Sequence, residues 1–431
     1  MHLNSRWRGR GRQGALMCLA LVGLGACVTT PPPEAPALAP VAVASAAPAA
    51  SATEEEARQA GFARWVDVLR SQARAAGIDD ATLHLALDDV RYLPRVVELD
   101  RAQPEFTRPV WQYLDGAVSA QRVAQGQQRL QEVRAQADAA SSRHGVPPEV
   151  LVAIWGVESN YGSNYGNTPT IDALATLGFH GRREAWARGQ LIAALKILQN
   201  GDIDRAQMVG SWAGAMGQTQ FLPSVFLAHA QDADGDGRRD IWHSMADVLA
   251  STAHFLAQAR WQPGQPWGIE VQLPPDFDLA RADGELRQPS AQWAAEGVRA
   301  MDGTALPAFA DGALLLPAGA RGPAFLVGPN FRAILRYNNA SSYALAVSLL
   351  AQQIAGGPGV QAPWPRELAS LGRAQVTALQ AALNERGFSA GAADGVAGPA
   401  TRAALRRYQR SVGLPADGFP TLELLQRLQA P

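Results

Sequence analysis

The chain has 431 residues, a formal net charge of −1 and 47% hydrophobic residues. This length suggests two or three domains, and the apolar content suffices for a sizeable core, which excludes global disorder. The balanced charge argues against a general nucleic-acid-binding protein, which would be basic. Because the chain has only two cysteines, Cys18 and Cys27, a disulfide-stapled scaffold and a cysteine-rich zinc module are also excluded.

The first 26 residues have the pattern of a signal peptide. Four arginines precede an apolar run at 15–24, which is too short to span a bilayer as a permanent helix. The run ends in Leu-Gly-Ala-Cys at 24–27, which resembles the lipobox of bacterial lipoproteins. That resemblance implies a mature chain beginning at an acylated Cys27 and, because Val28 follows, an outer-membrane lipoprotein facing the periplasm of a Gram-negative bacterium. The alternative is an ordinary secretory signal with an incidental cysteine.

Composition divides the rest of the chain into a tether, a linker and two folded domains. Residues 27–55 are mostly proline and alanine, which cannot build a core and favour an extended tether. Helical spacing of apolar residues predicts a mainly α domain at 56–357, with a small β-containing insertion between 261 and 326. A Gly/Pro-rich linker at 358–368 precedes a separate small domain at 369–431. The longer predicted helices lie at 57–75, 118–137, 150–157, 183–199 and 244–259.

One carboxylate lies on an apolar helix face. Leu151, Ile154 and Glu158 are spaced i, i+3 and i+7, so they share one face of the helix. Apolar surroundings disfavour the charged form of a carboxyl and raise its pKa. A carboxylic acid that stays protonated near neutral pH is what a general acid for a glycosidic oxygen requires. The alternatives are a buried Glu paired with an Arg and a side chain that reaches solvent beyond the helix end.

Four sequence blocks carry a resemblance to a known family. They span residues 60–354 and are specific in combination. In the order of the argument they are Glu-Ser-Asn-Tyr-Gly at 158–162, Gly-Ser-Trp-Ala-Gly-Ala-Met-Gly-Gln-Thr-Gln-Phe-Leu-Pro-Ser at 210–224, Arg-Tyr-Asn-Asn-Ala-Ser-Ser-Tyr-Ala at 336–344, and Asp-Arg-Ala-Gln-Pro-Glu-Phe at 100–106 with Trp-Gln-Tyr at 111–113. Together they resemble the membrane-bound lytic murein transglycosylase B family, whose catalytic domain has a goose-lysozyme-like fold.

The resemblance implies roles for individual residues. Glu158 would be the single acid/base, and no role is carried over to Gln218 or Trp212, where relatives often have Tyr. Small residues at 213–217 suit either close approach of the backbone to a sugar chain or tight helix packing. The side chains expected to line the cleft are Ser211, Gln220, Tyr337, Asn338, Tyr343 and Tyr113.

The same resemblance implies a reaction without water. Glu158 would protonate the oxygen leaving C1 of N-acetylmuramic acid, and would then deprotonate the 6-hydroxyl that closes on C1. The product is a 1,6-anhydromuramic end, and no cofactor is required. The alternatives are a lysozyme-type hydrolase of the same bond and a non-catalytic wall-tethering lipoprotein. The expected partners are peptidoglycan glycan strands and the outer membrane, not nucleic acid, and partner proteins of wall synthesis or division are left open.

An acidic stretch at 232–243 matches the start of a calcium-binding EF-hand loop. Aspartates occupy positions 1, 3, 5 and 9, and a glycine at position 6 permits the sharp turn. Position 12 is His243 instead of Glu, and Asp247 is the expected substitute. The alternative is a metal-free loop of Asx turns with a structural role. The candidate ligands of a structural Ca²⁺ are Asp232, Asp234, Asp236, Arg238, Asp240 and Asp247.

The C-terminal 60 residues resemble the three-helix peptidoglycan-binding domain of many wall enzymes. Asp394-Gly395 and Asp417-Gly418 recur 23 residues apart, each shortly before a helical run. These aspartates suit turn formation as well as ligand contact, so the contact residues are not assigned. A generic three-helix bundle is the alternative. A second binding module would raise the local concentration of the enzyme on the polymer.

Overall fold

The computed structural model describes residues 52–102 and 108–430. The predicted signal peptide, the lipidation site Cys27, the tether up to residue 51 and residues 103–106 of the fourth sequence block lie outside the described residues. Within the described ranges the protein is mainly α-helical, which confirms the predicted fold class. No helix in this part of the chain is both long and apolar enough to cross a membrane.

The described residues form seventeen α-helices and seven strands. The helices are α1 (Ala52–Ala75), α2 (Asp80–Leu87), α3 (Pro94–Arg101), α4 (Val110–Ala117), α5 (Ala120–Glu132), α6 (Arg134–His144), α7 (Pro148–Ser159), α8 (Thr170–His180), α9 (Glu184–Gln199), α10 (Pro223–His229), α11 (Met245–Gln258), α12 (Ser290–Ala295), α13 (Pro329–Tyr337), α14 (Ser341–Ile354), α15 (Arg373–Glu385), α16 (Pro399–Ser411) and α17 (Leu422–Gln429). The strands are β1 (Thr168–Pro169), β2 (Val209–Gly210), β3 (Gly268–Gln272), β4 (Asp283–Gln288), β5 (Arg299–Ala300), β6 (Gly312–Leu315) and β7 (Ala324–Val327).

Helix α7 lies inside the larger hydrophobic core. Its residues from Leu151 to Ile154 are fully buried, and it packs against α5, α6, α11 and α14. Pro148 occupies the first turn, where its missing N–H costs no helical hydrogen bond. The C-cap, Asn160, adopts a left-handed conformation with φ 49°, which ends the helix abruptly. The core therefore fixes both the axis of α7 and the place where it stops.

The predicted helix at 118–137 is two helices in the structure. Ser119 caps α5 by accepting a hydrogen bond from the N–H of Arg122 at 3.3 Å. Val133, with φ −107° and ψ 18°, separates α5 from α6 and is itself buried. The apolar spacing continues through Val133 because both helices bury a face in the same core, so the break leaves no signature in the periodicity.

The predicted β-containing insertion is confirmed. Strands β3 to β7 form one antiparallel sheet in the order β4-β6-β7-β3-β5. This sheet has a hydrophobic core of its own around Trp293, Leu314 and Leu326, all fully buried. The indole of Trp293 donates a hydrogen bond to the carbonyl of Gly312 at 2.9 Å, which satisfies its polar N–H inside that core.

The C-terminal residues pack as three helices around a third core, made by apolar side chains of α15, α16 and α17. This region also contacts the β insertion. Arg410 pairs with Asp278 at 2.9 Å, and the N–H of Ala320 donates to a carboxylate oxygen of Asp417 at 2.8 Å. In the intervening segment, Arg366 makes a bidentate pair with Asp115 at 2.7 and 2.8 Å.

Candidate active site

The side chain of Glu158 is half-buried at the end of α7. The hydroxyl of Tyr343 donates a hydrogen bond to its Oε1 at 2.6 Å. Burial raises the pKa of Glu158 to about 7, and the hydrogen bond from Tyr343 opposes this shift only in part. No ion pair among the described residues involves Glu158, so the alternative of a structural pair with an arginine is excluded. The group can therefore be protonated near neutral pH.

Tyrosines from three helices surround this carboxyl. Tyr343 lies on α14, Tyr337 ends α13, and Tyr113 lies on α4. The rings of Tyr337 and Tyr343 stack with centroids 6.5 Å apart, and the hydroxyl of Tyr337 donates to the carbonyl of Thr219 at 2.6 Å. Burial and then the charge of Glu158 raise the pKa of each of the three phenols. They remain neutral hydrogen-bonding groups beside the carboxyl.

The chain turns sharply directly after Glu158. Asn160, Tyr161 and Gly162 all have positive φ, at 49°, 56° and 78°. The hydroxyl of Ser159 accepts from the N–H of Gly162 at 3.1 Å and donates to the carbonyl of Trp155 at 3.0 Å. Left-handed backbone at two consecutive residues with side chains is costly and persists only where the surroundings impose it. The strain ends the helix one residue after Glu158.

We expect Gly162→Ala to destabilise the fold by about 2 kcal/mol more than Gly201→Ala. Both glycines have φ near 77°, so both substitutions carry a similar backbone cost. A Cβ at 162 would lie 2.2 Å from Oε1 of Gln218, whereas a Cβ at 201 meets no atom within 4 Å. Overpacking of this kind costs about 1–3 kcal/mol. Urea unfolding of the two variants measures the difference, and equal losses of unfolding free energy would contradict the prediction.

The predicted cleft residues of the 210–224 block build a turn. Ser211 accepts a hydrogen bond on its hydroxyl from the N–H of Ala215 at 3.1 Å. Gln220, at φ 53°, donates through Nε2 to the carbonyls of Tyr165 at 3.0 Å and Gly217 at 2.8 Å. Both side chains therefore hold the backbone of the block, and among the described residues no hydrogen bond is made by the Gln220 amide oxygen or the Ser211 hydroxyl hydrogen.

Asn338 differs from the other predicted cleft residues. Its side chain is exposed beyond the end of α13, and no hydrogen bond among the described residues joins it to Glu158. The structure thus brings Tyr113, Tyr337 and Tyr343 to the carboxyl and leaves Asn338 exposed.

Two groups at α7 were missed by the sequence reasoning. Nη1 of Arg122 donates to the carbonyl of Gly156 at 2.5 Å, and the carbonyl of Arg122 accepts from the hydroxyl of Tyr161 at 2.8 Å. The amide of Gln218 accepts from the indole N–H of Trp155 at 2.7 Å. These contacts join residues 34 to 63 positions apart, and no spacing along the sequence indicates them.

The structure brings three of the six predicted loop ligands together. Asp232, Asp234 and Asp247 each offer a carboxylate oxygen, and these oxygens lie within 4.8 Å of one another. The carboxylate of Asp236 instead accepts from the backbone N–H of Arg238 at 2.8 Å. An oxygen-only donor set of this kind is suited to a hard cation such as Ca²⁺.

Asp247 enters the loop from α11, as expected from its place after His243. Its side chain is fully buried, and the N–H groups of Ala233 and Asp240 each donate to it at 2.7 Å. Burial raises the pKa of Asp247 to about 6, against those two hydrogen bonds. The carboxylate of Asp240 accepts from the N–H of His243 at 2.9 Å and so serves the turn.

A mainly helical domain that places one carboxyl of raised pKa beside tyrosines of three helices is the arrangement expected of a lysozyme-like protein. The chain belongs to the Transglycosylase SLT domain family, whose profile matches residues 61–352. Residues 372–428 match a second family, described as a putative peptidoglycan binding domain. Membership in both families confirms the family resemblances drawn from the sequence blocks.

Individual relatives agree with this assignment. The membrane-bound lytic murein transglycosylase B of Escherichia coli (strain K12) is 34% identical over 219 residues, which cover 49% of this chain and 58% of that relative. SltB3 from Pseudomonas aeruginosa, solved in complex with NAG-anhNAM-pentapeptide, is 51% identical with a TM-score of 0.84, covering 86% of this chain and 99% of that chain. Escherichia coli Slt35, solved in complex with calcium, is 29% identical with a TM-score of 0.57, covering 68% and 92%.

Proposed function

We propose that this chain is a lytic murein transglycosylase, which cleaves the β-1,4 bond between N-acetylmuramic acid and N-acetylglucosamine without consuming water. The observation that carries the proposal is the half-buried carboxyl of Glu158, which accepts a hydrogen bond from Tyr343 and whose pKa is raised to about 7 by burial. None of its interactions within the described residues is with a second carboxylate. The SltB3 complex with an anhydro-sugar peptide supports the choice of product.

The mechanism uses Glu158 twice. In its protonated form it gives its proton to the glycosidic oxygen as the bond to muramic C1 breaks. The N-acetyl group of the substrate stabilises the positive charge at C1, so no protein nucleophile is needed, unlike in glycosidases with two carboxylates. The carboxylate then takes the proton of the muramic 6-hydroxyl as that oxygen bonds to C1. Tyr343, donating to Oε1, stabilises the carboxylate between the two steps.

Digestion of purified sacculi tests this proposal. Muropeptides with ends lighter by one water indicate the anhydro product. Muropeptides with reducing ends would instead indicate a lysozyme-type hydrolase. If no muropeptide were released, the protein would be a non-catalytic wall-tethering protein. Mass spectrometry of the released muropeptides distinguishes the three outcomes in one experiment.

The chain organisation follows from the same proposal. A lipid on Cys27 anchors the mature chain in the outer membrane, residues 27–55 serve as the tether, and the domain at 56–357 cleaves the wall. After the linker 358–368, the domain at 369–431 binds glycan strands and keeps the enzyme on the polymer. Labelling of cells with radioactive palmitate, lost on Cys27→Ser, tests the anchor.

Asp232, Asp234 and Asp247 are proposed to hold a structural Ca²⁺. The three-carboxylate donor set, with the buried side chain of Asp247, supports this site, as does the calcium complex of Slt35. The ion would neutralise the mutual repulsion of the carboxylates and stabilise the loop. It supplies no step of the chemistry.

Calcium is therefore expected to stabilise the protein, by about 2.7 kcal/mol at a free concentration 100 times Kd. Asp247→Asn should abolish the calcium-dependent rise in Tm. Asp236→Asn should retain it, because Asp236 lies in the same loop but outside the cluster. Thermal unfolding with calcium or with chelator measures both variants, and an unchanged Tm of the wild-type protein would contradict the site.

A further inference from the structure

A buried amide connects α7 to Trp242, which lies in the loop before α11. Gln218 is only 8% exposed, and both ends of its amide are used. Its Oε1 accepts from the indole N–H of Trp155 at 2.7 Å, and its Nε2 donates to the carbonyl of Trp242 at 2.6 Å. An indole N–H can only donate and a carbonyl can only accept, so the two partners dictate the orientation of the amide.

Trp155 transmits this contact to the last turn of α7. It lies three residues before Glu158, and its carbonyl accepts from the N–H of Tyr161 at 3.3 Å. Its ring meets the ring of Tyr161 edge-on at a centroid distance of 5.7 Å. The rotation of Trp155 about the helix axis is thereby coupled to the position of the turn that presents Glu158.

The site around the amide leaves no room for adjustment. A Cβ at Gly162 would lie 2.2 Å from the amide oxygen of Gln218 and 3.4 Å from Nε1 of Trp155. The backbone N–H of Gln218 also donates to the carbonyl of Ile241 at 2.9 Å, which fixes the residue from its main chain. The strained turn after Glu158 and the backbone of Trp242 thus both contact the side chain of Gln218.

We propose that Gln218 is a positioning residue for the reaction. Its amide joins the indole of Trp155 to the carbonyl of Trp242, and so holds the last turn of α7 where Glu158 meets Tyr343. Among the described residues its amide makes no hydrogen bond to the carboxyl, and it acts through Trp155. The inference rests on the proposed function. Losing the clamp lets the turn move and admits water to the carboxyl, which lowers the rate without weakening the binding of glycan.

Gln218→Met tests the clamp, because methionine fills a similar volume and makes neither hydrogen bond. We expect kcat on soluble glycan chains to fall by about 10- to 100-fold with KM unchanged, as for a small misplacement of a reacting group. The alkaline limb of the pH–rate profile should move to lower pH, since a hydrated Glu158 has a lower pKa. A merely structural role would lower Tm and leave that limb in place.

Gln190→Met is the matched control. Gln190 is also 8% exposed, and its amide also uses both ends, with Ser224 at 2.9 and 3.0 Å, but it lies on α9 away from α7. This variant should have a lower Tm, but the alkaline limb of its pH–rate profile should stay where the wild-type protein has it. If Gln190→Met moves the limb as far as Gln218→Met, or if Gln218→Met keeps the wild-type kcat and limb, the proposal is overturned.

Trp155→Phe is a second variant that removes the indole N–H and keeps an aromatic ring. It should move the alkaline limb in the same direction. The double variant with Gln218→Met should be no slower than the slower single variant, because both substitutions remove the same hydrogen bond between Trp155 and Gln218. Fully multiplicative effects would overturn the clamp. The product masses from wild-type protein test the proposed function separately, so failure of the clamp is distinguishable from failure of that function.

Discussion

Glu158→Gln is expected to reduce the release of muropeptides from sacculi by about 10²- to 10⁴-fold, the usual contribution of a general acid. The amide has nearly the shape of the carboxyl but has no acidic proton to give to the leaving oxygen. Its carbonyl oxygen can still accept the hydrogen bond that Tyr343 now donates to Oε1, so the cleft should keep its shape. Binding of the variant to sacculi should therefore equal that of the wild type.

Glu149→Gln is the matched control, because Glu149 lies in the first turn of the same helix, away from the cleft end. It makes the same chemical change on α7 and should leave the rate of release unaltered. Counting soluble anhydro-muropeptides against time, with a pelleting assay for binding, compares the two variants. A Glu158→Gln protein with near-full activity would show that another group supplies the proton.

The sequence predicted the element that carries the site because its signal is local. Leu151, Ile154 and Glu158 share a helix face through the 3.6-residue period, which holds wherever the helix forms. The family blocks then indicated the tyrosines that meet this face. Position, however, depends on tertiary packing: Tyr343 reaches Glu158 from 185 residues away, and only the assembled core brings α14 beside α7.

Other features had no signal along the chain. Tyr161 occupies left-handed backbone because the surrounding contacts impose it, against its own preference. Gln218 acts through partners that only the fold brings together, and a lone polar residue in a small-residue turn indicates nothing by itself. The sequence therefore located the reacting group and missed the residues that hold it.

The contacts of the C-terminal helices with the β insertion could not be predicted from the sequence either. A compact three-helix region is implied by the resemblance of these residues to a peptidoglycan-binding domain. Its pairing with the β insertion through Arg410 and Asp278 joins two exposed side chains 132 residues apart. Such surface pairs contribute about 0–1 kcal/mol each and impose no periodic pattern, so the sequence described the region as separate.

The second large effect is a loss of activity with rising pH. Glu158 must be protonated to begin the reaction, and burial raises its pKa to about 7. Above that pH the protonated fraction falls tenfold for each pH step of one, so the rate at pH 9 should be about 100-fold below its maximum. Measuring the release of soluble muropeptides from pH 5 to pH 9 gives the limb, and a rate still at its maximum at pH 9 would contradict this assignment.

Stability should fall over the same range, and the sign follows from proton binding. Between the ordinary pKa of 4.5 and about 7, the folded protein holds a proton on Glu158 that the unfolded chain has released. The unfolding free energy therefore falls as pH rises through this window, by up to about 3 kcal/mol. In the presence of chelator, where no calcium holds its carboxylate ionised, Asp247, whose pKa is raised to about 6, changes stability in the same direction. Glu158→Gln removes only the first contribution. In urea unfolding, the wild type should therefore lose more unfolding free energy than this variant between pH 4.5 and pH 8. If the two proteins lost the same amount, Glu158 would not be desolvated in the folded protein.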